Sequence, residues 1–241
     1  MLVKLLVSVW HVDETYAAII GGADIVDVKD PSAGSLGAPK PSIILKVKEI
    51  VSLNNPKCEV SAAIGDIKCC PSTVRLASYA LSSIGLDYVK VGIETADFKL
   101  AHSIAENAVE GAREGGKARV IIVAYADFKR TNSLNPLTLP EIAYSVSADG
   151  VMIDTRIKNG RNTFNYLSLN ELKQFVSKAK KYRLITALAG GLNIEHVEVA
   201  YKLGFDVIGF RTAVCDRGRL GKLSKDKICT FKNIIEKLEG G

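Results

Sequence analysis

The stretch "DIVDVKDPSAGSLGAPKP", residues 24 to 41, runs a β-branched segment into Asp27, Lys29 and Asp30, then into a Gly/Pro-rich loop that ends at Pro41. An apolar run with strand propensity, a polar end, a turn and a proline fit to open a helix make one βα unit. The same unit repeats outward from it. The runs VKLLVSV (3–9), ADIVDVK (23–29), CEVSAAIG (58–65), DYVKVGI (87–93), ARVIIVAY (118–125), DGVMID (149–154), LITALAG (184–190) and FDVIGF (205–210) give eight candidate strands. Helical spacing lies between them: Ile43, Ile44, Val47, Ile50 and Val51 behind Pro41, then Leu100, Ile104 and Ala108, and finally Ile228, Phe231, Ile235 and Leu238.

Strands covered on both faces read as continuous apolar runs, and eight βα units of about thirty residues each fit the roughly 250 residues of an α/β (β/α)8 TIM barrel. The alternative is a doubly wound open sheet. The strand count, the lack of Gly-x-Gly-x-x-Gly after the first strand and the lack of a linker favour the barrel, as one domain over residues 1–241.

A chain of 241 residues, 47% hydrophobic and 24% charged, can bury a full core. No apolar run reaches the roughly 20 residues that span a bilayer, and MLVKLLVSVW lacks the small-residue cleavage site of a signal peptide. A cytoplasmic protein without membrane partners is expected. Five cysteines, at 58, 69, 70, 215 and 229, include no CxxC and have no nearby histidine, so no disulfide framework and no metal site are predicted. The net charge of +6 suits an anionic partner, but the densest basic cluster, RGRLGKLSKDK (217–227), has no aromatic residue to stack on bases. Nucleic acid is therefore not expected, and the plainer reading of that cluster is a solvated approach to the last helix.

In a barrel the chemistry gathers at the C-terminal ends of the strands. Side chains alternate along a strand, so Val26 and Val28 facing the helices leave Asp27 and Lys29 directed toward the barrel axis. Val89 and Val91 likewise leave Lys90 inside, and MIDTRIKNG places Asp154 at a strand end with Lys158 four residues on. Taken singly, each lysine reads as a rim salt bridge, such as Lys29 with Asp27; three together weaken that reading. A free lysine amine, with a pKa near 10.4, is only about 0.04% neutral at pH 7, so clustered cations and burial are what make such an amine nucleophilic. A neutral amine at position 29 is equipped to capture a carbonyl as a Schiff base, with a neighbouring lysine or aspartate moving protons and Asp27 orienting it.

At the far end, ALAGGLN places Gly190 and Gly191 after the seventh strand, ahead of Asn193, and GFRTAVC places Arg211 and Thr212 after the eighth. Glycine loops and helix N-termini there seat phosphate in many barrels, so a phosphorylated small-molecule substrate is expected. The plainer alternative is a turn at the glycines and a salt bridge at Arg211. The loop 32–41 reads equally as a lid or as an ordinary connection. Ser8, Tyr125 and Asp127, at strand ends, are expected to be structural, and His11, His102 and His196 form no nucleophile motif.

The stretches VDVKDPSAGSLGAP, YVKVG, MIDTRIKNG and ALAGGL, in this order over essentially the whole chain, resemble the (5-formylfuran-3-yl)methyl phosphate synthase family. That resemblance implies condensation of two molecules of glyceraldehyde 3-phosphate into a phosphorylated furan aldehyde, with loss of phosphate and water, on the path to methanofuran, and without a cofactor. It also implies that the Schiff-base lysine is Lys29, beside Asp27, with Lys90 in proton transfer and Asp154 and Lys158 as further active-site groups. Two other readings stay open: a class I aldolase for another sugar phosphate, and a non-catalytic binder of phosphorylated metabolites. Symmetric homo-oligomers are common among barrels, and one is expected here.

Overall fold

The computed structural model describes residues 2–240. Strands and helices alternate in chain order: β1 (Lys4–Val9), α1 (Glu14–Ile20), β2 (Ile25–Val28), α2 (Pro41–Asn54), β3 (Glu59–Ile67), α3 (Pro71–Ser83), β4 (Tyr88–Ile93) and α4 (Phe98–Gly115) form the first half. The second half is β5 (Arg119–Tyr125), α5 (Phe128–Thr131), α6 (Leu139–Ser145), β6 (Gly150–Asp154), α7 (Leu169–Lys181), β7 (Ile185–Leu188), α8 (His196–Leu203), β8 (Val207–Phe210) and α9 (Lys225–Glu239). Each strand pairs in parallel with the next, and β8 returns to β1 through Lys4↔Val207 to Val7↔Phe210, which closes the barrel and rules out the open sheet.

The helices begin where the chain chemistry lets them. Pro41 opens α2, as expected, because a missing N–H costs nothing in the first turn; Ile44, Val47 and Val51 then face the sheet and Ile50 is half-buried. Asp97 caps α4 by accepting from Lys99 N and Leu100 N, and Ser168 with Glu171 forms a reciprocal cap on α7. Among the described residues, no helix is long and apolar enough to cross a membrane.

Two apolar layers result. Val26, Val28, Val89 and Val91 pack outward against the helices, while Leu6, Ile25, Tyr88, Ile121, Met152 and Val207 fill the barrel interior. At the N-terminal end, Glu59 accepts from Lys4 Nζ at 2.5 Å, from Tyr88 Oη at 3.2 Å and from Arg119, which seals that end with satisfied charges. The polar interior positions Ser8, Asp27, Ser61, Lys90 and Asp154 then sit among the inward-facing side chains closer to the C-terminal mouth.

A bulge between Ala63 and Asp66 shifts the β3–β4 register and re-aims Asp66. Its carboxylate accepts from Ser35 N at 2.8 Å, from Leu36 N at 3.2 Å and from Tyr125 Oη. These bonds lay the 32–40 loop across the mouth and drive Leu36, fully buried, into the barrel interior. Residue 92 has to be glycine for this to happen, since a Cβ there would collide with both Leu36 and Tyr125 Oη. The loop is thus a plug over the β3–β5 side, and the other half of the mouth is left open.

Candidate active site

The open half of the mouth holds a cavity of about 300 Å³ above β6, β7, β8 and β1. Lys29, Asp154 and Lys158 line its wall together with Gly190, Gly191 and Thr212. Alternation along the strands gives this arrangement directly. Asp27 pairs in register with Ser8 and Ser61 on the neighbouring strands, and Asp154 ends β6 opposite Tyr125. Lys29 stands one residue beyond β2, yet its N–H still donates to Val9 O, so it continues the strand's direction with its side chain inward and 7% exposed.

The five groups that the sequence placed together do converge, but their pairing differs from the expected one. Asp27 does not pair with Lys29. Its partner is Lys90, whose Nζ lies 2.6 Å from Asp27 Oδ2, while Ser61 Oγ donates to Oδ1 at 2.6 Å and Ser8 Oγ to Oδ2 at 3.0 Å. Lys90 lies deeper than expected, packed in the barrel interior under the cavity rather than lining it. Lys29 instead faces Asp154, with its Nζ 3.8 Å from Oδ2, which is beyond hydrogen-bond reach. Asp154 Oδ1 is taken by Lys158 Nζ at 2.7 Å and Thr155 N at 2.7 Å, and among the described residues Oδ2 accepts no hydrogen bond. A buried carboxylate oxygen without a donor, turned toward an amine at the cavity wall, is an acceptor held ready for an incoming group.

Charge explains the proton affinities. Burial alone raises both carboxyl groups, but the ammonium groups outweigh it: Lys90 and Lys29 hold Asp27 below the usual carboxylate range, and Lys158 and Lys29 hold Asp154 far below it. Burial pushes Lys90 and Lys158 down; Asp27 and Asp154 respectively oppose it, and the charge of Lys29 adds to the lowering in both. Three amines share two buried carboxylates, Lys29 and Lys90 from within the barrel and Lys158 from the more open loop above it, so the cluster carries one cation more than it can match. A group of this kind gives up a proton more readily than separate lysines do.

The phosphate-seat expectations divide. Gly190 and Gly191 line the cavity with φ values of +96° and +66°, and a Cβ on Gly190 would collide with Thr163 Oγ1, so the turn is built on glycine and exposes its backbone. Thr212 lines the same space from a 3₁₀ turn after β8. Arg211 also lines the cavity, but its donors are turned to the protein. Glu14 of α1 takes its Nη1 at 2.6 Å and its Nη2 at 2.9 Å, while Ser8 O, Arg219 O and Gly221 O accept the remaining N–H groups. All five of its donors are spent inside the protein. The reason lies in long-range packing, since Glu14 is 197 residues away in the chain.

The sequence missed several of these residues. Ser61 and Asp66 both sit on β3: Asp66 lies at its polar end, where a check of every strand end finds it, whereas Ser61 lies inside the strand and is signalled only by its alternation with Val60 and Ala62. Asp127 is structural, as expected: it accepts from Arg156 N at 2.7 Å and Ile157 N at 2.8 Å and so holds the loop that carries Lys158. Arg156 turns to Glu94, with Nε 2.9 Å from Oε2. Arg219, from the basic cluster read as solvated, lines the cavity instead.

The sequence pattern of the family described as 4-HFC-P synthase matches residues 5–232. The (5-formylfuran-3-yl)methyl phosphate synthase of Methanopyrus kandleri is 40% identical over 217 residues, covering 89% of this chain and 90% of its own. The protein of that name from Methanothermobacter thermautotrophicus is 36% identical over 235 residues, covering 96% and 98%. Among solved structures, a 3-hexulose-6-phosphate synthase superposes with a TM-score of 0.66 at 19% identity over 95% of this chain and 99% of its own, a likeness of fold.

Proposed function

This chain belongs to the 4-HFC-P synthase family, and on that premise we propose that it condenses two molecules of glyceraldehyde 3-phosphate into (5-formylfuran-3-yl)methyl phosphate through an imine at Lys29, as a step toward methanofuran. The observation that carries this reading is the placement of one amine. Of the three lysines, Lys90 and Lys158 each touch a carboxylate, at 2.6 and 2.7 Å, whereas Lys29 reaches the cavity wall with its nearest carboxylate oxygen 3.8 Å away.

The chemistry follows from that placement. Attack of the Lys29 amine on the aldehyde carbon, with loss of water, gives a protonated imine whose charge faces the unpartnered Asp154 Oδ2. The imine acidifies the adjacent C–H, and removal of that proton by a neutral lysine of the cluster gives an enamine. The enamine expels the phosphate one carbon further on, and the resulting three-carbon unit is joined to the second aldehyde. Cyclisation and dehydration then form the furan, and hydrolysis of the imine restores Lys29. Two triose phosphates give one furan monophosphate, one phosphate and two waters, so the reaction needs no oxidant or reductant.

Borohydride reduction with glyceraldehyde 3-phosphate present tests the reading. Substrate-derived mass is expected on the peptide bearing Lys29, together with phosphate release and furan-aldehyde absorbance in the unreduced reaction. Lys29→Arg keeps the charge and should abolish the adduct, because a guanidinium stays protonated. An adduct without phosphate release would favour an aldolase, and no adduct at all would favour a binder.

A further inference from the structure

The segment 216–222, between β8 and α9, is built rather than loose. Cys215 and Leu223 pair across its neck, Asp216 N donates to Lys222 O at 2.9 Å, and Gly221 N donates to Gly218 O at 3.0 Å. From below, Arg211 braces it by donating Nε to Arg219 O at 2.9 Å and Nη2 to Gly221 O at 3.0 Å, while Glu14 locks Arg211 itself. Arg217 and Lys222 on this segment are exposed, but Arg219 is half-buried and turned into the cavity. Its Nη2 donates to Gly34 O at 2.5 Å, which ties the segment to the plug loop, and its other N–H groups have no partner among the described residues.

A half-buried guanidinium at a cavity wall, with free donors, is placed to take an anion. No carboxylate lies within ion-pair distance among the described residues, and the nearby cation is a second positive charge: Arg219 adds to the lowering of Lys158's proton affinity. Lys158 and Arg219 both line the cavity, Arg219 tied to the plug loop through Gly34 O, and the turn at Gly190 and Gly191 lines it with backbone, so the cavity offers anions two chemically different seats, one of side-chain cations and one of main chain. We propose that Arg219, with Lys158 beside it, is a second phosphate-monoester site, which holds the phosphate of the triose that keeps it while the glycine turn holds the phosphate of the imine-bound triose. The assignment to two trioses rests on the function proposed above; the existence of a second phosphate seat does not. The planar fork of arginine suits two phosphate oxygens at once, which a lysine in its place would not.

Calorimetric titration with glycerol 3-phosphate, which cannot form an imine, tests the seat apart from the reaction. The wild type should take up two equivalents per chain. Arg219→Ala should take up one, or bind the second about 10- to 100-fold more weakly, and Arg219→Lys should fall between. A thermal midpoint close to wild type and an undiminished Lys29 borohydride adduct in Arg219→Ala would show that the barrel is intact. In the full reaction, furan formation by Arg219→Ala should drop by a similar factor with two triose phosphates. That penalty should vanish when unphosphorylated glyceraldehyde is the second aldehyde. A single equivalent in the wild type, two undiminished equivalents in Arg219→Ala, or an equal penalty with glyceraldehyde would overturn the assignment. A wild type that binds two equivalents but forms neither adduct nor furan would instead overturn the proposed reaction and leave the seat standing.

Discussion

Replacing Lys90 with methionine keeps the side-chain length and removes the ammonium 2.6 Å from Asp27 Oδ2. Asp27 is 0% exposed, so its carboxylate would retain only the hydroxyls of Ser61 at 2.6 Å and Ser8 at 3.0 Å and the charge of Lys29. Breaking a buried ion pair from one side costs about 3–5 kcal/mol, and the two remaining hydroxyl donors put the expected loss near the lower end. For a chain of this length each kcal/mol lowers Tm by roughly 2–4 °C, so a loss of about 3 kcal/mol lowers it by roughly 6–12 °C at pH 8. The deficit should also depend on pH. In the wild type, burial raises Asp27 and the ammonium groups of Lys90 and Lys29 outweigh it. Without Lys90 the burial effect gains and the folded carboxyl titrates higher. If it rises above the unfolded value of about 3.9, the folded variant binds a proton first, so its deficit is full above the folded pKa and shrinks as pH falls through it. Asp27→Asn added to Lys90→Met removes the stranded charge and should recover most of the loss. Melting of the wild type and both variants at pH 5 and pH 8, followed by circular dichroism, measures all of this. A Lys90→Met protein that melts within about 2 °C of the wild type at pH 8, or a double variant no more stable than the single one, would refute the claim that this pair is held as buried charges.

Asp154→Asn keeps the shape of the β6 end but withdraws the counter-charge from Lys158 and the acceptor facing Lys29; furan formation, followed by absorbance, should fall about 10²- to 10⁴-fold. Arg211→Met strands the buried Glu14 and unbraces the 216–222 segment, so stability in urea should drop by roughly 3–5 kcal/mol and trypsin should cut faster at Arg217 and Arg219. Because burial lowers Lys90 and Lys158, the neutral amines needed as bases appear before an ordinary lysine would deprotonate; the rate should therefore rise with pH through a midpoint below about 10.4, and Lys158→Arg should diminish that limb. A limb still centred at the free-lysine value in the wild type would contradict the cluster argument.

The strands were readable because their signal is local. Each apolar run carries its own propensity, and the observed strands fall inside the expected runs except β3, which extends to Ile67 through a bulge that no pattern in CEVSAAIG announces. The inward direction of Asp27 and Lys90 was readable for the same reason, since period-two alternation fixes where a Cβ points once its neighbours face the helices. The partners of Arg211 and Arg219 were not legible because a long side chain goes where its partners are, and those partners come from β1, α1 and the plug loop. A salt bridge is the plainer reading of Arg211 from sequence, but nothing near position 211 identifies Glu14 as its partner.

The sequence by itself determined the eightfold alternation, the inward direction of Asp27, Lys29 and Lys90, Asp154 at a strand end with Lys158 on the loop beyond it, and the glycine turn after β7, because each depends on backbone periodicity and on residues close together in the chain. Only the tertiary structure decided that Asp27 belongs to Lys90 and Asp154 to Lys158, that Leu36 closes half the mouth, and that of the two arginines at the cavity Arg211 has every donor taken while Arg219 keeps donors free. Strand register and barrel closure set which charged ends come within a few ångströms of each other. At that range, competition among partners distant in the chain assigns each donor to its acceptor.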